Sequence, residues 1–217
     1  MEEMKRETEF EFVAPGEIEA RSMAIITEEL GDRVLDPKEA PIIKRVIHTT
    51  ADFEFADSLV FSDGAADRLE AVIRNGATVV TDTEMARAGI NKRKLADYGG
   101  RVECFMSHED VAAEARKRGI TRAAVSMERA AQIPGPVLFA IGNAPTALIR
   151  LYDLIAEEGF KPAGIIAVPV GFVNVVEAKE MILRLDVPHI VARGRKGGSP
   201  VAAAIMNAML YSMSAGR

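Results

Sequence analysis

The chain has 217 residues, of which 48% are hydrophobic and 27% are charged, which allows one large α/β domain with a substantial buried core. Its net charge of −5 argues against sequence-independent binding to nucleic acid, and Pro169 and Gly171 interrupt its longest apolar run, which argues against a membrane span. Its single cysteine, Cys104, excludes an internal disulfide, and we find no signal-peptide pattern, so we expect a cytoplasmic protein.

The N-terminal part of the chain predicts a short tail followed by two helices. Residues 1–14 are charged and non-periodic, and we assign them to a tail or edge segment that precedes a single domain over residues 15–217. Apolar residues at helical spacing from Glu17 to Leu30, with Gly31 after them, predict a helix that carries Ser22. A second helix is predicted from Asp36 as N-cap to about His48.

After His48, β-prone runs alternate with amphipathic helical segments. The predicted strands lie within residues 57–62, 77–82, 101–105, 136–143, 163–171 and 188–194, and helical patterns separate them. The runs 135–142 and 163–171 are apolar at both alternating positions, as central parallel strands are. We therefore predict a three-layer α/β/α domain with a doubly wound, mainly parallel sheet.

In such a sheet, ligands bind beyond the carboxyl ends of the strands. Gly142 and Asn143 follow one predicted strand, and Asn143 as N-cap would leave free backbone amides at a helix start that can bind an anion or a carbonyl. Gly171 and Asn174 repeat this arrangement after the next strand. Two anion-binding turns are therefore predicted at one edge of the sheet.

The third unusual turn is the basic loop, residues 193–198, in which three cations alternate with glycines before Ser199 and Pro200 begin a helix. Cations and a helix N-terminus together favour carboxylates or phosphates, although a solvated basic turn would have the same composition. The glycines match neither the dinucleotide nor the P-loop pattern, so we expect an organic anion. The cations of this loop are Arg193, Arg195 and Lys196.

Five stretches in one order together resemble the precorrin-8X methylmutase family of cobalamin biosynthesis. They are KRVIHTTADFEF from Lys44, TVVTDTEMARAGI, AIGNAPTAL, AVPVGFVNVVEAKE and RGRKGGSPVAAA. The resemblance extends from about Glu17 to about Tyr211. It implies a flavodoxin-like fold, a homodimer and no protein-bound cofactor.

The resemblance also implies a reaction and roles for two residues. The family shifts a methyl group from C-11 to C-12 of precorrin-8X to give hydrogenobyrinate, or of cobalt-precorrin-8 to give cobyrinate. The position of His48 corresponds to the proton donor and acceptor, and that of Ser22 to a substrate contact. Because an imidazole ordinarily exchanges its proton near neutral pH, histidine suits protonation of a conjugated ring.

Each of the three histidines can also be interpreted as a purely structural residue. Taken by itself, His48 is better explained as a residue that caps the carbonyls of a helix end, and the family resemblance reverses that preference. His108 is expected to be a solvated residue at a helix start, and His189 to pack at the start of a strand. No histidine or cysteine spacing predicts a metal site in the protein, so any cobalt would be carried by the substrate.

The substrate class carries acetate and propionate arms, for which an acidic protein needs local positive charge and hydrogen-bond donors. Thr81 and Thr83 could contact the ring or its arms, or could cap a helix. Met206, Met209 and Met213 are expected to pack in the core or in a dimer. The candidate binding residues are Ser22, Arg21, Thr81, Thr83, Arg122, Gly142, Asn143, Arg193, Arg195, Lys196 and Gly198.

Two further functions fit parts of the same pattern. A non-catalytic tetrapyrrole carrier would use the same pocket without rearranging its ligand. A phosphate- or nucleotide-binding α/β enzyme would depend on the basic loop alone.

Overall fold

The structure is a computed structural model, and it describes residues 11–215. The chain divides into two compact units between Val34 and Leu35. This division falls inside the domain predicted for residues 15–217, whose extent stays a prediction. Most of the predicted N-terminal tail lies outside the described residues.

The first unit contains helix α1, Ile18–Leu30. It ends as predicted at Gly31, which has a φ of 57° that glycine adopts without strain. Near its start, the Arg21 guanidinium forms an ion pair with Glu11 at 2.8 Å.

The second unit is built on a six-stranded sheet with the order β1-β6-β5-β4-β2-β3. β1 pairs with β6 in the antiparallel direction, and the other neighbours are parallel. The predicted mainly parallel sheet is confirmed, and its apolar central strands are fully buried. The strands are β1 Leu59–Phe61, β2 Thr78–Thr81, β3 Arg101–Glu103, β4 Val137–Ile141, β5 Gly164–Ala167 and β6 His189–Ala192.

Helices cover both faces of this sheet because successive strand residues point to opposite sides. Buried residues of four helices, α7 to α10, form one hydrophobic cluster with Phe139 and Ile165 of the sheet. The last helix, α11, packs against α2, α5 and β4. The helices of this unit are α2 Ala40–Thr50, α3 Phe55–Ser58, α4 Ala65–Arg74, α5 Glu84–Gly89, α6 Lys92–Ala96, α7 Glu109–Arg118, α8 Arg122–Ala130, α9 Pro145–Ala156, α10 Val175–Ile182 and α11 Ser199–Ala215.

Some local predictions are wrong. α2 begins at Ala40 after Glu39, about one turn later than predicted. Asp36 nevertheless caps the turn that leads into it, because its carboxylate accepts the Lys38 amide at 2.7 Å and its carbonyl accepts the Ala40 amide at 2.8 Å. The short helix α3 was not predicted. The three methionines of α11, by contrast, are buried as expected.

None of the described helices combines the length and apolar character that crossing a membrane requires.

Candidate active site

His48 lies in the last turn of α2, with its side chain exposed. The opposite face of α2 is buried, because Ile43 and Ile47 recur one turn apart and pack into the core. α2 ends at Thr50, and Ala51 then takes a left-handed φ of 53°. The buried face therefore fixes the helix and leaves His48 accessible.

His48 lines a cavity of about 290 Å³ together with residues of α5 and α11. Small residues create this space, and a Cβ at Gly89 would lie only 2.9 Å from the Cβ of Ala203. The α11 residues on the lining recur every three or four positions and so share one helix face. The full lining is Arg45, His48, Thr49, Gly89, Pro200, Ala203, Ala204, Asn207 and Tyr211.

Two cations beside this cavity were missed in the sequence analysis. The Arg45 guanidinium lies 5.1 Å from the centre of the Tyr211 ring, and the Lys94 ammonium lies 5.4 Å from it. Arg45 precedes His48 by three residues, so both side chains leave the same face of α2. The three-residue spacing from His48 could therefore have predicted Arg45 as a site residue from the sequence.

Asn207 holds the α5–α6 junction against α11. Its Oδ1 accepts the backbone amide of Asn91 at 2.8 Å, and its Nδ2 donates to the carbonyl of Gly89 at 2.9 Å. Both ends of the amide are therefore bonded, and the part of the cavity wall that Gly89 and Asn207 form is fixed.

The buried carboxylate of Asp82 accepts hydrogen bonds from the backbone amides that we predicted to be free for a ligand. Gly142 donates to its Oδ1 at 2.9 Å, while Asn143 and Ala144 donate to its Oδ2 at 2.8 and 2.6 Å. Burial raises the pKa of Asp82, and the three amide hydrogen bonds oppose that effect. The group that these amides bind is therefore the carboxylate of Asp82, a side chain of the same protein, and not a ligand.

The predictions of free amides after β4 and of Asn143 as N-cap are therefore wrong. α9 follows Ala144 as its N-cap, without a side-chain hydrogen bond from that residue. Asp82 comes directly after β2, and only the neighbouring position of β2 and β4 in the sheet brings it to this helix. Substrate contacts of Gly142 and Asn143 stay predictions that would have to use other atoms.

Both candidate threonines already have hydrogen-bond partners within the fold. The buried Thr81 hydroxyl donates to the carbonyl of Thr83 at 3.1 Å. Thr83 caps α5, as the alternative interpretation predicted, because its Oγ1 accepts the amide of Ala86 at 3.0 Å. It also lies 2.7 Å from the Ser199 hydroxyl. A direct role of either threonine in binding stays a prediction.

Two of the three cations of the basic loop form ion pairs with carboxylates of the same chain. Arg193 forms a two-pronged ion pair with Glu180, at 2.9 and 2.8 Å. Lys196 lies 2.6 Å from Asp52 and 2.7 Å from Glu54, which are the carboxylates that follow α2. Arg195 is exposed and lies over the ring of Phe172 at 5.5 Å.

The remaining candidate of this loop, Gly198, has a φ of 132° and donates its amide to the carbonyl of Val168 at 2.8 Å. This bond joins the loop after β6 to the segment after β5. The predicted start of the following helix at Ser199 and Pro200 is confirmed.

The remaining candidate residues have hydrogen-bond partners of their own. Arg122 begins α8 and donates to the carbonyl of Met106 at 3.3 Å. In the first unit, the Ser22 hydroxyl donates to the carbonyl of Ile18 at 3.0 Å. Among the residues that the structure describes, His48 is the only predicted site residue on the cavity lining. Substrate contacts of Ser22, Arg21 and Arg122 stay predictions.

The other two histidines lie as expected. His189 is buried at the start of β6, and its Nδ1 lies 2.9 Å from the carbonyl of Val187; burial lowers its pKa. His108 is exposed before α7 and packs edge-on against Phe105 at 5.4 Å. Within residues 11–215, no group of three or more His, Cys, Asp and Glu side chains is arranged to hold a metal ion.

Comparison with known proteins gives consistent matches along most of the chain. The family model described as CbiC, precorrin-8X methylmutase, matches residues 17–212. A protein named cobalt-precorrin-8 methylmutase from Priestia megaterium is 44% identical over 197 residues, which cover 91% of this chain and 88% of that protein. One of the same name from Salmonella typhimurium is 44% identical over 205 residues, which cover 92% and 96%.

A solved structure shares the fold. It is titled as a crystal analysis of precorrin-8x methyl mutase from Thermus thermophilus, and it superposes with a TM-score of 0.84 at 35% identity. The match covers 92% of this chain and 98% of that chain.

Proposed function

The chain belongs to the precorrin-8X methylmutase family and is an isomerase, and from this premise we propose that it moves a methyl group from C-11 to C-12 of its corrinoid substrate, with His48 as acid and base. The single observation that carries the role of His48 is its exposed ring on the lining of the cavity between α2, α5 and α11.

The proposed reaction requires a proton but no nucleophile. His48 lends a proton to the conjugated macrocycle, the bond between C-11 and the methyl carbon breaks as the bond to C-12 forms, and the imidazole then takes a proton back. Atoms and electrons balance within the substrate. A positioned acid of this kind contributes about 10²- to 10⁴-fold, and orientation of the bound ring supplies the rest.

Positive charge beside His48 fits a carboxylated substrate. Arg45 lies on the same lining, and Lys94 reaches the same tyrosine ring. We propose that Arg45 receives a carboxylate arm near the reacting ring atoms, because arginine forms two-pronged hydrogen bonds with carboxylates. Arg195, exposed over Phe172, would serve a more distant arm.

The cavity is small for a whole tetrapyrrole, since sites for drug-sized ligands run from about 300 to 1,000 Å³. We therefore propose that it receives one edge of the macrocycle. A homodimer that completes the remaining surface stays part of this proposal, and sedimentation analysis with and without ligand would test it.

We propose the cobalt form as the physiological substrate, supported by the names of the two relatives described above. The cobalt is then part of the substrate, and the protein itself needs no cofactor. A cytoplasmic location also stays a proposal.

The test uses purified protein with cobalt-precorrin-8 or precorrin-8X whose C-11 methyl group carries carbon-13. We expect the carbon-13 NMR signal to move to the C-12 methyl position in stoichiometric yield, faster with the cobalt form. A coloured complex without this change would instead indicate a carrier, and would contradict the proposal.

A nucleotide-binding enzyme is less well supported by the structure than by the sequence. Two of the three cations on which it depends, Arg193 and Lys196, are paired with carboxylates of the same chain.

A further inference from the structure

Lys179 is a lysine without exposed surface. It lies on α10, and its relative exposure is 0%, although lysine is almost never fully buried unless it is paired. Its ammonium donates to the carbonyls of Gly194 and Lys196, at 2.9 and 2.8 Å. Within the part of the chain that the structure describes, no carboxylate lies within ion-pair distance of it.

Such a buried charge is costly unless it is hydrogen-bonded, and the two carbonyls are the partners that the structure gives it. What distinguishes its position is the identity of its two partners, since both carbonyls belong to the basic loop.

The basic loop is attached to the rest of the sheet edge by backbone contacts as well. Gly171 donates its amide to the carbonyl of Arg195 at 3.1 Å, and Gly198 donates to Val168 at 2.8 Å. Gly197 leaves no space for a side chain, because a Cβ there would collide with the carbonyl oxygen of Val168. Backbone bonds thus hold the loop at Arg195 and Gly198, and Lys179 adds two hydrogen bonds at Gly194 and Lys196.

On its outer side, the same loop contacts the segment that follows the His48 helix. The Lys196 ammonium, which belongs to the same residue as one carbonyl that Lys179 holds, binds Asp52 and Glu54. Asp52 lies only two residues beyond the end of α2. A continuous series of polar contacts therefore joins Lys179, Lys196 and the end of α2.

We propose that Lys179 is a positioning residue: its two hydrogen bonds fix the basic loop so that Lys196 holds residues 52–54 and thereby the helix end that presents His48. Lys179 acts through Lys196 and does not touch the substrate. This inference rests on the proposed function for its kinetic effect, but not for its effect on the loop.

The test is a double-mutant cycle on kcat/KM for cobalt-precorrin-8 with Lys179→Met and Lys196→Met. We expect each single variant to lose about tenfold in kcat/KM. The double variant should also lose only about tenfold, because both substitutions break the same series of contacts between Lys179 and the end of α2. Lys117→Met is the matched control, because this lysine is 79% exposed in its side chain and should leave kcat/KM unchanged. A loss of about a hundredfold in the double variant would show that the two lysines act independently, and would overturn the proposal.

Hydrogen exchange separates this inference from the proposed function. Lys179→Met should lower the protection of the Gly171 and Gly198 amides, whereas Lys117→Met should not. Unchanged protection would overturn the inference even if the wild-type enzyme is active, and lost protection would support it even if the wild-type protein turns over no corrinoid. Lys179→Gln, which can still donate to one carbonyl, should show a smaller loss. If neither variant folds, Lys179 is a folding determinant and the proposal fails.

Discussion

The side chains of His48 and Lys179 occupy opposite environments, which suit the different roles proposed for them. His48 is exposed on the cavity lining, where a ligand can reach its ring. Lys179 is buried beneath the basic loop, where a fixed hydrogen-bond geometry matters more than access. Burial alone lowers the pKa of Lys179 from 10.5 to about 8.

This shift predicts a pH dependence of stability. Between about pH 8 and 10.5 the unfolded chain keeps a proton on this lysine that the folded chain has lost, so the free energy of unfolding rises with pH across this window. The difference in that free energy between wild type and Lys179→Met should rise by at most about 1.4 kcal/mol per pH unit and be flat below the window. Urea unfolding at a series of pH values measures it.

Other titrating groups cancel in this difference, because both proteins contain them. A difference that stays flat from pH 8 to 10.5 would contradict the lowered pKa of Lys179.

At the scale of elements, the start of α9 depends on a residue from another strand. Asp82 follows β2, accepts the amides of Gly142, Asn143 and Ala144, and replaces a local N-cap. One side chain thus joins the ends of β2 and β4 to the first turn of α9. The edge of the sheet where ligands usually bind is here held together by an internal carboxylate.

Asp82→Asn should therefore destabilise the fold strongly. The new amide group would place a donor against donors that are buried, and we expect a loss of about 3 kcal/mol in the free energy of unfolding. Asp186→Asn, at an exposed position, should change it by less than about 0.5 kcal/mol. Chemical denaturation of both variants makes the comparison, and equal stabilities would count against the assigned role of Asp82.

The predictable elements were those whose local pattern and tertiary environment agree. The apolar runs of β4 and β5 are buried on both faces, and Gly31 ends α1 where expected. The cap of α9 was mispredicted because the residue that satisfies its amides is about 60 positions away in sequence, at Asp82. A local pattern cannot show which strands are neighbours in the sheet.

The same reason limited the prediction of the site. His48 was proposed as the acid and base through the resemblance of five stretches to one family, and this role stays a prediction; its position at a helix end was predicted from residue spacing and is confirmed. Tyr211 and Asn207 were missed because α11 was treated only as a packing helix, and Lys179 because a lysine on an amphipathic helix ordinarily faces solvent.

At the scale of the whole molecule, the proposed function requires a chain of net charge −5 to bind a corrinoid with several carboxylate arms. The overall field opposes the ligand, so affinity depends on the cations near the cavity, such as Arg45. The salt dependence of KM distinguishes these two contributions by its sign.

We expect KM for the corrinoid to rise about threefold or more between about 0.05 and 0.5 M NaCl, because salt screens local attraction at an exposed site. Arg45→Met should raise KM at low salt and flatten its salt dependence. Arg74→Met is the matched control, since Arg74 also lies over a tyrosine ring, that of Tyr98 at 6.0 Å, but does not line the cavity. A KM that falls as salt is added would show that repulsion dominates.

The most direct measurement compares turnover and ligand affinity of His48→Ala with those of His108→Ala. We expect His48→Ala to fold, to bind cobyrinate within about threefold of wild type, and to lose about 10²- to 10⁴-fold in kcat, because only the proton transfer is removed. His108→Ala, altered at an exposed histidine that does not line the cavity, should keep wild-type kcat. An undiminished kcat in His48→Ala would contradict the role of His48 as acid and base.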